Sequence, residues 1–313
     1  MTLNPTKPRR LAAGAHVALL APSGPLIDRD DLPRAVELCR ALGLDPVVMP
    51  HASERHGYLA GPDAGRLADL NAALRNPDID AIWCLRGGYG LTRILDRVDF
   101  AALAARPLPI IGYSDITALL LAALAQANVV TFHAPNARTT LPDFSARGLQ
   151  RVLGIAEPAG RLEAAPDHAA VTLRAGIAEG PLVGGNLALI AALVGTPYLP
   201  SFDGTLLVLE DVGEAVYRID RMLSQLRLAG RFDRLAGVVV GHFTEVPVPS
   251  ADGAFGIEEV LRHYFEPLGI PIAHGMPVGH IDAQWTVPMG VRARFDAGQG
   301  TLDLLESAVM EAS

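Results

Sequence analysis

Ser114 stands where a serine can do chemistry. In Ile110-Ile111-Gly112-Tyr113-Ser114-Asp115-Ile116-Thr117 two β-branched residues end a buried strand, and an Ala/Leu-rich helical pattern begins directly afterwards. A serine on such a sharp strand-to-helix turn has its hydroxyl pushed clear of the sheet. The free N–H groups of the new helix lie beside it and can stabilise negative charge. That is the logic of a nucleophile elbow, although Gly112-Tyr113-Ser114-Asp115-Ile116 lacks the final glycine of G-x-S-x-G. The competing reading is that Ser114 or Asp115 only caps the helix. A serine nucleophile also needs a histidine to take its proton and a carboxylate to orient that histidine. His133, His242, His274 and His280 lie at strand ends or in glycine-flanked loops, and Glu210 and Asp211 end a strand. Triad members meet in space, so spacing alone leaves the choice among them open.

A second chemical feature precedes the elbow. Arg86-Gly87-Gly88-Tyr89-Gly90 follows the apolar run Ala81–Leu85, and three glycines in four residues let the backbone approach a ligand and turn N–H groups toward it. Neither the phosphate-loop nor the dinucleotide fingerprint fits. Next to an elbow the loop reads as a source of an oxyanion donor, with a plain glycine turn as the alternative. Pro22-Ser23-Gly24-Pro25 ends the first strand in a similar place, where turn chemistry alone would also explain it.

The elements that must hold these residues alternate. Strands are expected at 17–21, 46–50, 81–85, 110–112 and 129–133. Helices are expected at 30–42, 64–74 and 91–105, and after the elbow to 127. This β-α alternation predicts a doubly wound parallel sheet. Composition then shifts, and 140–180 reads as a helix followed by a crossover linker. The expected domains are 1–150 with the nucleophile, a linker at 151–178, and 179–313 with shorter strands and helices.

Composition narrows the function classes. The chain has 313 residues, half of them hydrophobic and 19% charged, which makes it globular with a large core. Its formal net charge of -8 leaves no basic surplus for nucleic acid. Cys39 and Cys84 lie in apolar segments and read as buried reduced thiols, and no Cys/His cluster suggests a metal. Lys7-Pro8-Arg9-Arg10 before an apolar run superficially resembles an export signal, but His16 interrupts it and the run reads better as a first strand. No stretch reaches the length of a membrane span, so a cytoplasmic protein is expected.

The ordered set of motifs Ala21-Pro22-Ser23-Gly24, Arg86-Gly87-Gly88-Tyr89-Gly90, Gly112-Tyr113-Ser114-Asp115-Ile116-Thr117, Gly185-Asn186-Leu187, Leu209-Glu210-Asp211-Val212-Gly213-Glu214 and Val278-Gly279-His280 resembles the LD-carboxypeptidase family of serine peptidases. That family also holds the microcin C immunity hydrolases. The resemblance implies an N-terminal flavodoxin-like α/β domain, a smaller β-rich α/β C-terminal domain and a homodimer. It implies a Ser114–Glu210–His280 triad, with backbone N–H groups of Gly88 and Asp115 as the oxyanion hole and neither metal nor cofactor. The implied substrate is the murein tetrapeptide, which loses its terminal D-alanine. Arg86 and Asn186 are the expected substrate contacts. Ala134, in His133-Ala134-Pro135, stands where the family has glycine. Two alternatives remain: an immunity-type hydrolase of aminoacyl nucleotides, for which Trp285 would be the stacking aromatic, and a non-catalytic anion-binding α/β protein.

Overall fold

The computed structural model describes residues 3–137, 141–166, 168–247 and 255–311. The first half contains β1 (His16–Leu20), α1 (Asp31–Ala41), β2 (Asp45–Val48), α2 (Asp63–Arg75), β3 (Ala81–Cys84), α3 (Phe100–Ala105), β4 (Ile110–Gly112), α4 (Thr117–Gln126), β5 (Thr131–His133) and α5 (Asp143–Gly154). Then follow β6 (Gly160–Arg161), β7 (Val171–Arg174), β8 (Ile177–Asn186), α6 (Leu187–Ala192), β9 (Leu206–Val212), α7 (Val216–Leu228) and β10 (Gly237–Thr244). The chain closes with α8 (Ile257–Phe265), β11 (Ile272–His274), β12 (Val287–Met289), β13 (Arg292–Asp296) and β14 (Thr301–Leu304).

The first sheet has the order β2-β1-β3-β4-β5-β12. Its first five strands are parallel, in the 2-1-3-4-5 order of flavodoxin-like folds. Helices cover both faces of such a sheet, and β3 and β4 are accordingly buried along their whole length. The loops after β1, β3 and β4 therefore emerge together at the carboxyl edge, where open α/β sheets bind ligands.

The second sheet has the order β6-β14-β13-β8-β9-β10-β11-β7. Its centre, β8 to β11, is parallel, and antiparallel strands flank it on both sides. Helix α4 joins the two layers. It contacts β5 and β12 on one side and β8 and α6 on the other, and Thr117–Leu124 are all buried. A helix apolar all round belongs in such a core rather than on a surface. Cys39 and Cys84 are free and buried, and burial pushes the Cys39 thiol up to about 12.

Three expectations are corrected here. The expected linker at 151–178 is not a plain connection: it holds the end of α5, and β6 and β7 form the two edges of the second sheet. Strand β12, from the C-terminal part, pairs antiparallel with β5 of the first sheet. The expected helix over 91–105 is broken into two short 3-10 turns, Leu91–Arg93 and Leu95–Arg97, before α3. Asp99 separates the second turn from α3, because its carboxylate caps α3 by accepting from the Ala102 N–H at 3.0 Å.

Candidate active site

The turn after β4 has the geometry an elbow requires. Tyr113 is extended, and Ser114 then takes φ 67, a left-handed conformation that non-glycine residues adopt at a cost. A single 3-10 turn, Ser114–Ile116, leads into α4. The strain places the half-buried serine at the tip of the turn, next to the first N–H groups of a helix.

The glycine loop after β3 backs this serine directly. A Cβ on Gly87 would lie 2.7 Å from the Ser114 Cβ and 2.8 Å from its Oγ, and 3.2 Å from the Asp115 backbone nitrogen. Only glycine fits there. Gly88, at φ 105, is exposed at the mouth of the loop.

Asp115 ties the three loops together. Its buried carboxylate accepts from the Ser23 hydroxyl of the β1 loop and from the Leu91 N–H at 3.0 Å. Burial pushes this carboxyl up, while the hydrogen bonds from Ser23, Leu91 and Gly90 pull it back. The Ser23 motif thus does more than make a turn. A serine and an aspartate 92 residues apart meet because β1 and β4 flank β3.

Of the four candidate histidines, the structure pairs His280 with a carboxylate in this region. Its Nδ1 lies 2.8 Å from Oε2 of Glu210, which is fully buried on β9. The His280 ring also lies 4.8 Å from that of Tyr113, the residue before the serine. Gly279 makes the approach possible: a Cβ there would meet Glu210 Oε2 at 2.8 Å. The other three candidates have different surroundings. His242 packs on His168, and His274 lies 3.8 Å from Glu258. His133 is fully buried behind Tyr113, with ring centroids 6.0 Å apart, and burial pushes it down to about 4 despite the neighbouring Glu210. A base held neutral in the core is a poor proton acceptor near pH 7.

The two remaining expected site residues differ in placement. The half-buried Arg86 donates from Nη1 to the Pro25 carbonyl at 2.6 Å, at the cleft beside Gly88. Asn186, expected to touch substrate, is 3% exposed with both ends of its amide engaged. Its Nδ2 donates to Asp211 at 2.9 Å and its oxygen caps α6. Asp211 also accepts from the Ala188 N–H, and burial pushes its carboxyl up to about 6. Sequence reasoning gave the Tyr113 side chain no role and the Asp115 side chain only that of a helix cap, because their contacts come from distant strands. Among the described residues no group of three or more His, Cys, Asp or Glu could hold a metal ion.

A strained serine on an elbow, glycine-loop N–H groups and a histidine–carboxylate pair are together the parts of an acyl-transfer site. Comparison with known proteins agrees. The LD-carboxypeptidase N-terminal domain model matches residues 17–134 and the C-terminal domain model matches 179–295. The murein tetrapeptide carboxypeptidase of Pseudomonas aeruginosa is 38% identical over 292 residues, covering 91% of this chain and 94% of that protein. The crystal structure of muramoyltetrapeptide carboxypeptidase from Oxalobacter formigenes has a TM-score of 0.80 at 30% identity, covering 93% and 98% of the two chains. The structure of MccF in complex with glutamyl sulfamoyl guanosine has a TM-score of 0.89 at 23% identity, covering 97% and 100%, a likeness of fold. The chain belongs to the LD-carboxypeptidase family and is a serine-type carboxypeptidase.

Proposed function

We propose that the protein removes the terminal D-alanine from murein tetrapeptides through Ser114, His280 and Glu210. The observation that carries this reading is the 2.8 Å contact between His280 Nδ1 and Glu210, formed against the Tyr113 side of the serine elbow. With Nδ1–H donated to Glu210, the other ring nitrogen is left to accept the Ser114 proton. The serine oxygen then attacks the scissile carbonyl, and the N–H groups of Gly88 and Asp115 receive the developing oxyanion. His280 returns the proton to the leaving amine of D-alanine, and water, activated by the same histidine, releases the acyl group from Ser114. Glu210 holds the imidazole in one tautomer and stabilises its charged form.

A carboxypeptidase must also recognise a terminal carboxylate. Arg86, beside Gly88, is the cation placed for it. Asn186 supports the site through Asp211 and the start of α6. A cytoplasmic homodimer completes the proposal.

The fold likeness to MccF supports a second reading, an immunity-type hydrolase of aminoacyl nucleotides. Trp285 weighs against it as the stacking residue, since it is 4% exposed and its indole N–H donates to the Glu163 carbonyl at 2.7 Å. Mass spectrometry of purified protein incubated with L-Ala-γ-D-Glu-meso-diaminopimelyl-D-Ala, with EDTA present, separates the readings. Loss of one alanine is expected. An unchanged peptide, with hydrolysis of an aminoacyl sulfamoyl nucleotide in parallel, would make the second reading the correct one.

A further inference from the structure

We propose that the cavity beside Gly88 is a carboxylate-reading subsite that takes an acidic side arm of the peptide on Arg55. This assignment rests on the peptidase reading above. The cavity has a volume of about 670 Å³ and is walled by Arg55, Arg86, Tyr58, Tyr89 and Ile27, with Gly88 at its edge. Among the described residues two guanidinium groups and no carboxylate line it, in a chain whose formal net charge is -8. A cleft lined by one sign of charge concentrates ligands of the other sign.

The two cations are preorganised by one stretch of backbone. Arg86 donates to the Pro25 carbonyl at 2.6 Å, and Arg55 donates from Nη2 to the next carbonyl, Leu26, also at 2.6 Å. Each bond fixes one corner of a planar fork, which lowers the ordering cost of receiving a carboxylate in the bidentate geometry that arginine favours. Among the described residues no carboxylate forms an ion pair with Arg55, although most other arginine pairs of the chain sit on its surface with an acid. Its charge is therefore available to a ligand.

The aromatic wall sets the kind of ligand. Tyr58 and Tyr89 are 68% and 48% exposed, and their rings lie 5.7 Å apart. They join the loop carrying Arg55 to the glycine loop carrying Gly88. An apolar stem lying along the rings with a carboxylate on Arg55 would be held at a fixed distance from the scissile bond. The matching chemistry is a short aliphatic arm ending in a carboxylate. The free carboxylates of the γ-linked glutamyl and diaminopimelyl residues of a murein stem are such groups.

The test measures D-alanine release by the wild type, Arg55→Gln and Arg55→Lys. Three peptides are compared: the free-acid tetrapeptide, one amidated at the diaminopimelyl side-chain carboxylate, and one amidated at the glutamyl carboxylate. The wild type should discriminate against one of the two amides by roughly tenfold in KM, the worth of one charged hydrogen-bonded contact. Arg55→Gln should abolish that discrimination by raising KM for the free acid, and Arg55→Lys should restore part of it. A simple loss of folding would lower activity on all three peptides alike and leave the ratios unchanged. If the ratios are the same in wild type and Arg55→Gln, the subsite is overturned while the peptidase reading stands. If the wild type releases no alanine from any of the peptides, the peptidase reading falls and the subsite with it.

Discussion

The ring of His280 rests 4.8 Å from the ring of Tyr113, so the residue before the elbow serine, on the first sheet, positions a histidine delivered by the second half of the chain. His133 packs on the same tyrosine from the core side. Tyr113 is thus the spacer between two imidazoles, and its aromatic volume holds His280 in place. Tyr113→Ala should lower kcat by about tenfold or more, the worth of an aromatic contact plus a loosened base. Tyr113→Phe keeps the ring and should retain most activity. Steady-state kinetics of both variants checks this, and equal losses in both would assign the role to the hydroxyl.

Gly87 leaves no room for a methyl group against Ser114. Gly87→Ala should displace the serine and lower kcat by about 10²-fold or more, as small misplacements of reacting groups do. The cost to stability is that of overpacking, about 1–3 kcal/mol. Denaturant melts alongside kinetics decide whether activity falls further than folding accounts for.

Glu210→Gln preserves shape but removes the charge that orients and stabilises His280. By the behaviour of such carboxylates in serine hydrolases, kcat should fall by about 10⁴-fold. Stability should not fall with it, because Glu210 is a fully buried carboxylate whose Oε1 has no hydrogen-bond partner among the described residues. A variant that is inactive yet melts no lower than wild type is the expected result. A large drop in melting temperature would mean that the pair serves the fold first.

His133 predicts how the fold responds to acid. Burial holds it down at about 4 in the folded protein, against an ordinary value near 6.5 in the unfolded chain. Between those values the unfolded state binds the extra proton, so stability is lost as pH falls from about 6.5 to 4, by up to about 3 kcal/mol. Asp211 acts in the opposite sense. Its carboxyl is raised to about 6, so the folded state holds a proton the unfolded state has released, and stability falls as pH rises toward 6. His133→Gln removes the first contribution alone. Urea unfolding of wild type and variant between pH 4 and 7 should therefore show the wild type losing more stability on acidification. Parallel curves would mean that His133 takes up its proton in the folded protein over the same pH range as in the unfolded chain.

Much of the first domain was legible because its information is local. Apolar runs ending in Ser23, Gly87 and Ser114 mark buried parallel strands, and loops at the carboxyl ends of such strands must share one edge. The elbow could be read because a serine between a strand and a helix has few places to go. The order of the motifs around Glu210 and His280 carried the family resemblance. Local pattern misled over 91–105, where apolar periodicity continues but the Asp99 cap restarts the helix, and over 151–178, where short edge strands have too little periodicity to stand out from a linker.

Read residue by residue, the sequence leaves His280 as one of four histidines; the Val278-Gly279-His280 motif of the family resemblance points to it, and the tertiary structure adds its partner Glu210. The contact with Glu210 spans 70 residues and depends on Gly279 lacking a side chain. Ser23 and Asp115 are joined only because β1 and β4 both neighbour β3, and the Asn186 amide meets Asp211 from a separate strand. Local sequence determines where strands end and which residues stand at those ends. Which of those ends meet is decided by sheet order and packing between layers, and those are properties of the whole chain.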